Sequence, residues 1–209
     1  MKVIVTAGPT REFLDPVRFL SNPSTGKMGF AIARAAAEKG CEVVLVTGPV
    51  TLRTPRKVRR VDVVSARDML AAVENELNAE GEKVLISSAA IADWRPAECS
   101  TRKLKKASMD GVLKLVRNPD ILSTVHARYP QVRIVGFAAE TNDVEAEAAG
   151  KCRRKGMEFI VANDVTDKGC GFGTNTNRVA FIYADGRIEH LPMLSKLAVA
   201  RRIIGEIIK

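Results

Sequence analysis

The chain has 209 residues, 46% hydrophobic and 27% charged, a balance that excludes a disordered or fibrous class. A chain of this length buries roughly 70% of its unfolded surface without disulfide or metal staples, and no apolar run approaches the ~20 residues that span a bilayer. The net charge of +9 favours anionic partners, yet aromatics make up only 5%, too few for a platform that stacks nucleic-acid bases.

Residues 2–8 (KVIVTAG) form an apolar run ending in glycine, the pattern of a buried strand entering a loop. Residues 26–40 place Met28, Ile32, Ala35 and Ala36 at helical spacing, with Gly40 as a C-terminal cap. A second buried strand is expected over 41–49 and a short third over 58–64. Ser65 is a suitable N-cap for a helix over 66–79. Apolar runs at 83–93 and 132–141 read as strands, 144–155 as a helix and 158–164 as another strand. Residues 178–192 read as a hairpin turning at Asp185-Gly186, and 195–209 as an amphipathic helix. Residues 95–110, rich in Lys and Arg, lack periodicity and read as a mobile loop or hairpin arm. Apolar strands alternating with helices predict an α/β class: a Rossmann-like, mostly parallel sheet with helices on both faces and a small hairpin or arm region. No linker interrupts 1–209, so a single domain is expected. Cys41, Cys99, Cys152 and Cys170 form no CxxC pair, and the only histidines are His126 and His190, which argues against zinc and for reduced thiols in a cytoplasmic protein.

In open α/β sheets ligands bind beyond the carboxyl ends of the strands. Five strand ends here are small or polar: TAGPTRE, TGP, SSAAIAD, GFAAET and VANDV, which suggests one shared cleft. The first loop fits neither GxGxxG nor GxxxxGK[ST]. Ser24, Thr25 and Gly26 nonetheless stand where a helix N-terminus offers N–H groups to an anion, or where an ordinary cap would sit. Asn22 can donate to a developing oxyanion or orient a carbonyl, or simply turn the chain before Pro23. In KLKK (103–106), alternation puts Lys103 and Lys105 on one face, poised over a polyphosphate or merely solvated. NPDIL (118–122) marks a helix start, with Asn118 at or just before the cap and Pro119 in the first turn. Phe137 can stack on a base, and Lys151 and Lys155, four apart on one helix face, can meet a phosphate together or face solvent. The single Trp94 reads as a packing residue.

The ordered segments AGPTRE-x-LDPVRF-x-SNPSTGKMG, AAIADWRP, KLKK, NPDIL, GFAAET and VANDV resemble phosphopantothenate–cysteine ligase, in many bacteria the C-terminal half of a bifunctional coenzyme A biosynthesis protein. The resemblance covers nearly the whole chain and implies a two-step reaction. The carboxylate of 4′-phosphopantothenate attacks the α-phosphate of CTP, assisted by Mg2+, giving an acyl-cytidylate and pyrophosphate. The cysteine amine then displaces CMP. By the family pattern Asn22 handles the intermediate, and Lys103 supports nucleotide activation. Ser88, Ala89, Asp93, Pro119, Asp120, Ile121, Leu122, Phe137, Lys151 and Lys155 match nucleotide-contacting positions, and Gly8, Ser24 and Gly26 the region near the triphosphate. The pattern assigns no metal ligand. The chain departs from it at Asn22-Pro23-Ser24-Thr25, where the family often carries His and Ser; Thr25 keeps a hydroxyl and Pro23 removes an N–H. The resemblance further implies a homodimer and a decarboxylase partner or domain in the same pathway, with no flavin decarboxylase domain inside these residues and no nucleic-acid or membrane partner. Two rivals are a nucleotide-linked oxidoreductase, which lacks its glycine fingerprint and a Tyr–Lys relay here, and a basic nucleic-acid-binding module, which predicts steeply salt-dependent binding.

Overall fold

A computed structural model describes residues 1–105, 111–140, 144–164 and 173–209; Lys106, Thr141, Val165 and Cys170 of the segments above lie outside them. The strands are β1 (Lys2–Ala7), β2 (Arg11–Phe13), β3 (Phe19–Ser21), β4 (Glu42–Thr47), β5 (Val58–Asp62), β6 (Lys83–Ser87), β7 (Trp94–Pro96), β8 (Leu115–Arg117), β9 (Arg133–Glu140), β10 (Phe159–Asp164), β11 (Thr176–Asn177), β12 (Val179–Tyr183), β13 (Ile188–His190) and β14 (Leu194–Ser195). The helices are α1 (Lys27–Glu38), α2 (Ala66–Leu77), α3 (Ile121–Arg128), α4 (Val144–Arg154) and α5 (Lys196–Ile207).

Eight strands form one sheet in the order β13-β12-β10-β9-β6-β1-β4-β5. The six from β10 to β5 are parallel, and the hairpin β12–β13 adds an antiparallel edge. Alternation along each strand separates two apolar layers. Val3, Val5, Val84, Ile86 and Val135 face one way and pack under Phe30, Ile32 and Ala33 of α1 and Val199 and Ile203 of α5. Ile4, Val44, Leu85, Ile134 and Ile160 face the other way, under Met69 and Val73 of α2, Ile121 and Val125 of α3, and Cys152 of α4. Each Val, Leu, Ile, Phe or Met among them taken fully from water contributes about 1.5–3 kcal/mol, so both faces are anchored.

The expected architecture is present, with local differences. The run 83–93 stays a strand only to Ser87; Ser88 N–H still donates to Thr6 O of β1, and beyond it Ala90 and Ala92 hydrogen-bond to Gly8 and Thr10 in the loop after β1. The arm over 95–110 begins in a short hairpin, β7 pairing β8. Asn118 is not the cap of α3. Asp120 takes that place, its carboxylate accepting from Ser123 N–H at 3.1 Å, while Asn118 Nδ2 donates to Ala92 O at 2.8 Å. Among the described residues no helix is long and apolar enough to cross a membrane.

Candidate functional site

The chain leaves β1 through α1 to β4 on one side and returns through α2 to β6 on the other, so the strand order reverses between β1 and β6. That reversal opens a crevice beyond the carboxyl ends of the strands. Hydrogen bonds stitch its floor. Thr10 N–H donates to Ala90 O at 3.3 Å, Ala90 N–H to Gly8 O at 2.9 Å, and Ala92 N–H to the hydroxyl of fully buried Thr10 at 3.0 Å. Above this floor lie two joined compartments of about 410 and 500 Å3, which share Ala89, Ile91, Asp93 and Phe137.

The first compartment is built on α1. Gly26 precedes the helix at φ 78°, a conformation costly for any side chain, and offers no cap to the first turn. The first-turn residues 27–29 line the compartment, so their N–H groups suit an anion. Gly29 allows the close approach: a Cβ there would stand 2.5 Å from Ala7 Cβ. Asn22, Ser24 and Gly26 line one wall, Ser88, Ala89 and Asp93 another, and Phe137 and Lys151 the far side. Asn22 Nδ2 donates to both Ala90 O and Ile91 O at 3.2 Å. With both N–H bonds engaged, the amide has its oxygen to offer, an acceptor rather than the oxyanion donor the sequence suggested.

The second compartment is lined by Pro119, Asp120, Ile121 and Leu122 at the start of α3, with Lys155 opposite. Lys155 Nζ stands 2.9 Å from the Asp120 carboxylate, tying the end of α4 to the start of α3. Burial works against ionisation of Asp120, but the Ser123 N–H and Lys155 outweigh it and hold the carboxyl below its ordinary range.

The chain matches the family described as "DNA/pantothenate metabolism flavoprotein C-terminal domain" over residues 1–209. It belongs to that family. It is similar to the coenzyme A biosynthesis bifunctional protein CoaBC of Vibrio cholerae, 46% identical over 97% of this chain and 51% of the relative. It is likewise similar to that of Escherichia coli, 44% identical over 100% of this chain and 52% of the relative. The chain thus spans about half the length of these curated relatives. The crystal structure of the C-terminal domain of CoaBC superposes with a TM-score of 0.83 at 42% identity, covering 99% of this chain and 93% of that one. A Cab2 mutant solved in complex with phosphopantothenate-cysteine shares the fold, with a TM-score of 0.80 at 18% identity over 99% of this chain and 85% of that one.

Against this family fold, the residues marked in the sequence gather in the crevice with two exceptions. Gly8 lines neither compartment; at φ 70° it turns the chain beneath Gly26, whose Cβ position lies 3.4 Å from Gly8 N. Lys103 is exposed and also lines neither. Lys151 and Lys155 line different compartments, Lys151 the first and Lys155 the second. Trp94 is 45% exposed on the wall of the second compartment, with Arg117 5.3 Å above its ring, so it is not a core residue.

Sequence reasoning missed several lining residues of the first compartment: Lys27, Asn163, Asn177 and Lys196. Lys27 Nζ donates to Gly173 O at 2.6 Å and Asn175 Oδ1 at 2.9 Å. Lys196 is 8% exposed in the first turn of α5. A cation there opposes the helix dipole, and that mismatch is the one signal that could have singled it out. Among the described residues no group of three or more His, Cys, Asp or Glu is placed to hold a metal.

Proposed function

We propose that this domain couples 4′-phosphopantothenate to cysteine at the expense of CTP, through an acyl-cytidylate, as the ligase of coenzyme A synthesis. The observation that carries this reading is the gathering of the ligase-pattern residues, all but Gly8 and Lys103, around one switch-point crevice. Identity above 40% to bifunctional coenzyme A proteins over nearly the whole chain supports it.

In this reading the nucleotide lies across the two compartments. Phe137, which faces both, offers a ring face to the base, and the segment 119–122 flanks it. The α1 N-terminus and Lys151 offset the phosphate charge. The substrate carboxylate attacks the α-phosphorus, the bond to the bridging oxygen breaks, and pyrophosphate leaves. Cysteine nitrogen then attacks the acyl carbon, CMP leaves, and the amine gives up a proton. Asn22 Oδ1 accepts a hydrogen bond from that amine and aims its lone pair. Mg2+ would enter with the triphosphate, since it is usually held by one or two carboxylates plus substrate phosphates. Asp93, exposed where the compartments meet, is placed to offer one such oxygen. The reading includes a homodimer, a decarboxylase acting beside this domain, and a cytoplasmic setting.

The test is pyrophosphate release with Mg2+, 4′-phosphopantothenate and cysteine, run in parallel with CTP and ATP. Release that needs phosphopantothenate and CTP, with CMP as co-product, is expected. Preference for ATP would overturn the choice of base, and no release with either nucleotide would overturn the ligase.

A further inference from the structure

The turn between β2 and β3 holds a buried carboxylate that the crevice does not use. Asp15 is 0% exposed. Its Oδ1 accepts from Val17 and Arg18 N–H, both at 2.8 Å, and its Oδ2 is paired with Arg18 Nη2 at 2.6 Å. These bonds would close an ordinary Asx turn by themselves. Two further bonds reach another part of the chain: Leu104 N–H donates to Asp15 Oδ2 at 3.1 Å, and Arg18 Nη2 donates to Leu104 O at 3.0 Å. Both polar groups of one residue, 89 positions away in sequence, are thereby held by one ion pair. A third bond, Ser100 N–H to Leu14 O at 2.8 Å, fixes the start of the same segment.

Leu104 stands between two lysines. In an extended stretch, neighbouring side chains point to opposite sides. Leu104 is half-buried, whereas Lys103 and Lys105 are exposed. Locking the N–H and C=O of Leu104 therefore sets the direction in which Lys103 leaves the backbone.

We infer that Asp15 is a positioning residue for the activation step: with Arg18 it clamps Leu104 and so presents Lys103 to the polyphosphate. This rests on the ligase reading for the role of Lys103, but the clamp itself does not. The Arg18 guanidinium, against burial and together with the three N–H groups, holds the Asp15 carboxyl far below the usual carboxylate range. The clamp is therefore charged at neutral pH.

The experiment uses the full chain and three substitutions. Asp15→Asn keeps the size of the side chain and removes the charge that holds Arg18. Leu104→Pro removes the one N–H that Asp15 accepts from the lysine segment and leaves the buried pair intact, so it serves where Asp15→Asn fails to fold. Amide hydrogen exchange is read first. Asp15→Asn is expected to raise exchange at Leu104 by about tenfold or more, with β1 amides unchanged. Unchanged protection at Leu104 would overturn the clamp, whether or not the protein is a ligase. The two half-reactions are read next. Asp15→Asn and Leu104→Pro are each expected to slow pyrophosphate release by about tenfold or more, and the reaction of preformed acyl-nucleotide with cysteine by less than about threefold. Equal losses in both half-reactions would mean a general structural role. Asp15→Asn placed on Lys103→Gln should cost nothing further, because both act through one ammonium group; losses that multiply would sink the inference. An inert wild type would overturn the ligase reading alone, and hydrogen exchange would then decide the clamp by itself.

Discussion

Asn22 shows how a side chain's role is set by what its neighbours already occupy. Its two N–H bonds go to Ala90 O and Ile91 O, which leaves the amide oxygen as its remaining polar group. Asn22→Asp places a carboxylate against those two carbonyls and abolishes both bonds. Pyrophosphate should still appear, in a burst matching the enzyme present, while conversion by cysteine falls by about 100-fold, or about 2.7 kcal/mol of barrier. Rapid-quench sampling for the acyl-nucleotide checks this, and full turnover by the variant would contradict the assigned role. Lys103→Gln should do the opposite, slowing the burst itself by about tenfold or more, each tenfold worth about 1.4 kcal/mol. Both residues were marked by ordered motifs rather than by local physics, since Asn before Pro and a lysine run are individually ambiguous, and of the two only Asn22 lines the crevice. Lys196 was not legible. What brings it to the crevice is the pairing of β11 with β14, two residues each, too short to leave a pattern in the sequence.

At the scale of elements, the crevice depends on how closely α1 approaches β1. Gly29→Ala puts a methyl 2.5 Å from Ala7 Cβ, and neither backbone can yield without moving the helix. Overpacking of this kind costs about 1–3 kcal/mol. A lower urea midpoint with unchanged slope should report it, together with weaker nucleotide binding as the first turn is pushed off the sheet. The start of α3 gives a pH-dependent counterpart. Asp120 caps the helix and pairs with Lys155, and its carboxyl lies below the ordinary range. A depressed carboxylate contributes stability above its unfolded pKa and loses it as pH falls through the folded value. Asp120→Asn keeps a good cap and removes the half-exposed ion pair, so the stability gap to wild type should stay within about 1 kcal/mol at neutral pH. That gap should be flat from pH 7 to about 5 and shrink only below about pH 4; urea titrations of both proteins across this range measure it, and a gap that closes near pH 6 would point to another group. The long elements were readable because six apolar runs repeat the strand–helix alternation. The hairpin β2–β3 was not, because three-residue strands carry too few positions to show a period of two; β7–β8 was legible only as one of two readings of the arm, a loop or a hairpin.

Those two hairpins matter most for the molecule as a whole. β2 packs beside β7, outside the main sheet. On them or next to them lie Val17, Phe19, Trp94, Val112, Leu113, Leu115 and Val116, all exposed large hydrophobics. Isolated two-stranded hairpins are marginal in water, and a contiguous apolar patch on a soluble protein usually marks an interface. The arm region, rather than the β12–β13 hairpin where only Ile188 is comparably exposed, is therefore the surface we assign to the contact of the homodimer proposed above. Val112→Lys with Leu115→Lys adds charge to that surface while touching neither layer of the core. Sedimentation should find wild type as a dimer and the double variant as a monomer with unchanged secondary structure; a wild type that is already monomeric at micromolar concentration would sink the assignment. The segment carrying Lys103 lies between β7 and β8. Freeing the hairpins from their partner loosens the frame on which that lysine is held, so the monomer should also lose pyrophosphate release. Its urea midpoint should change far less, because the two apolar layers of the sheet, not the arm, carry the stability of the fold.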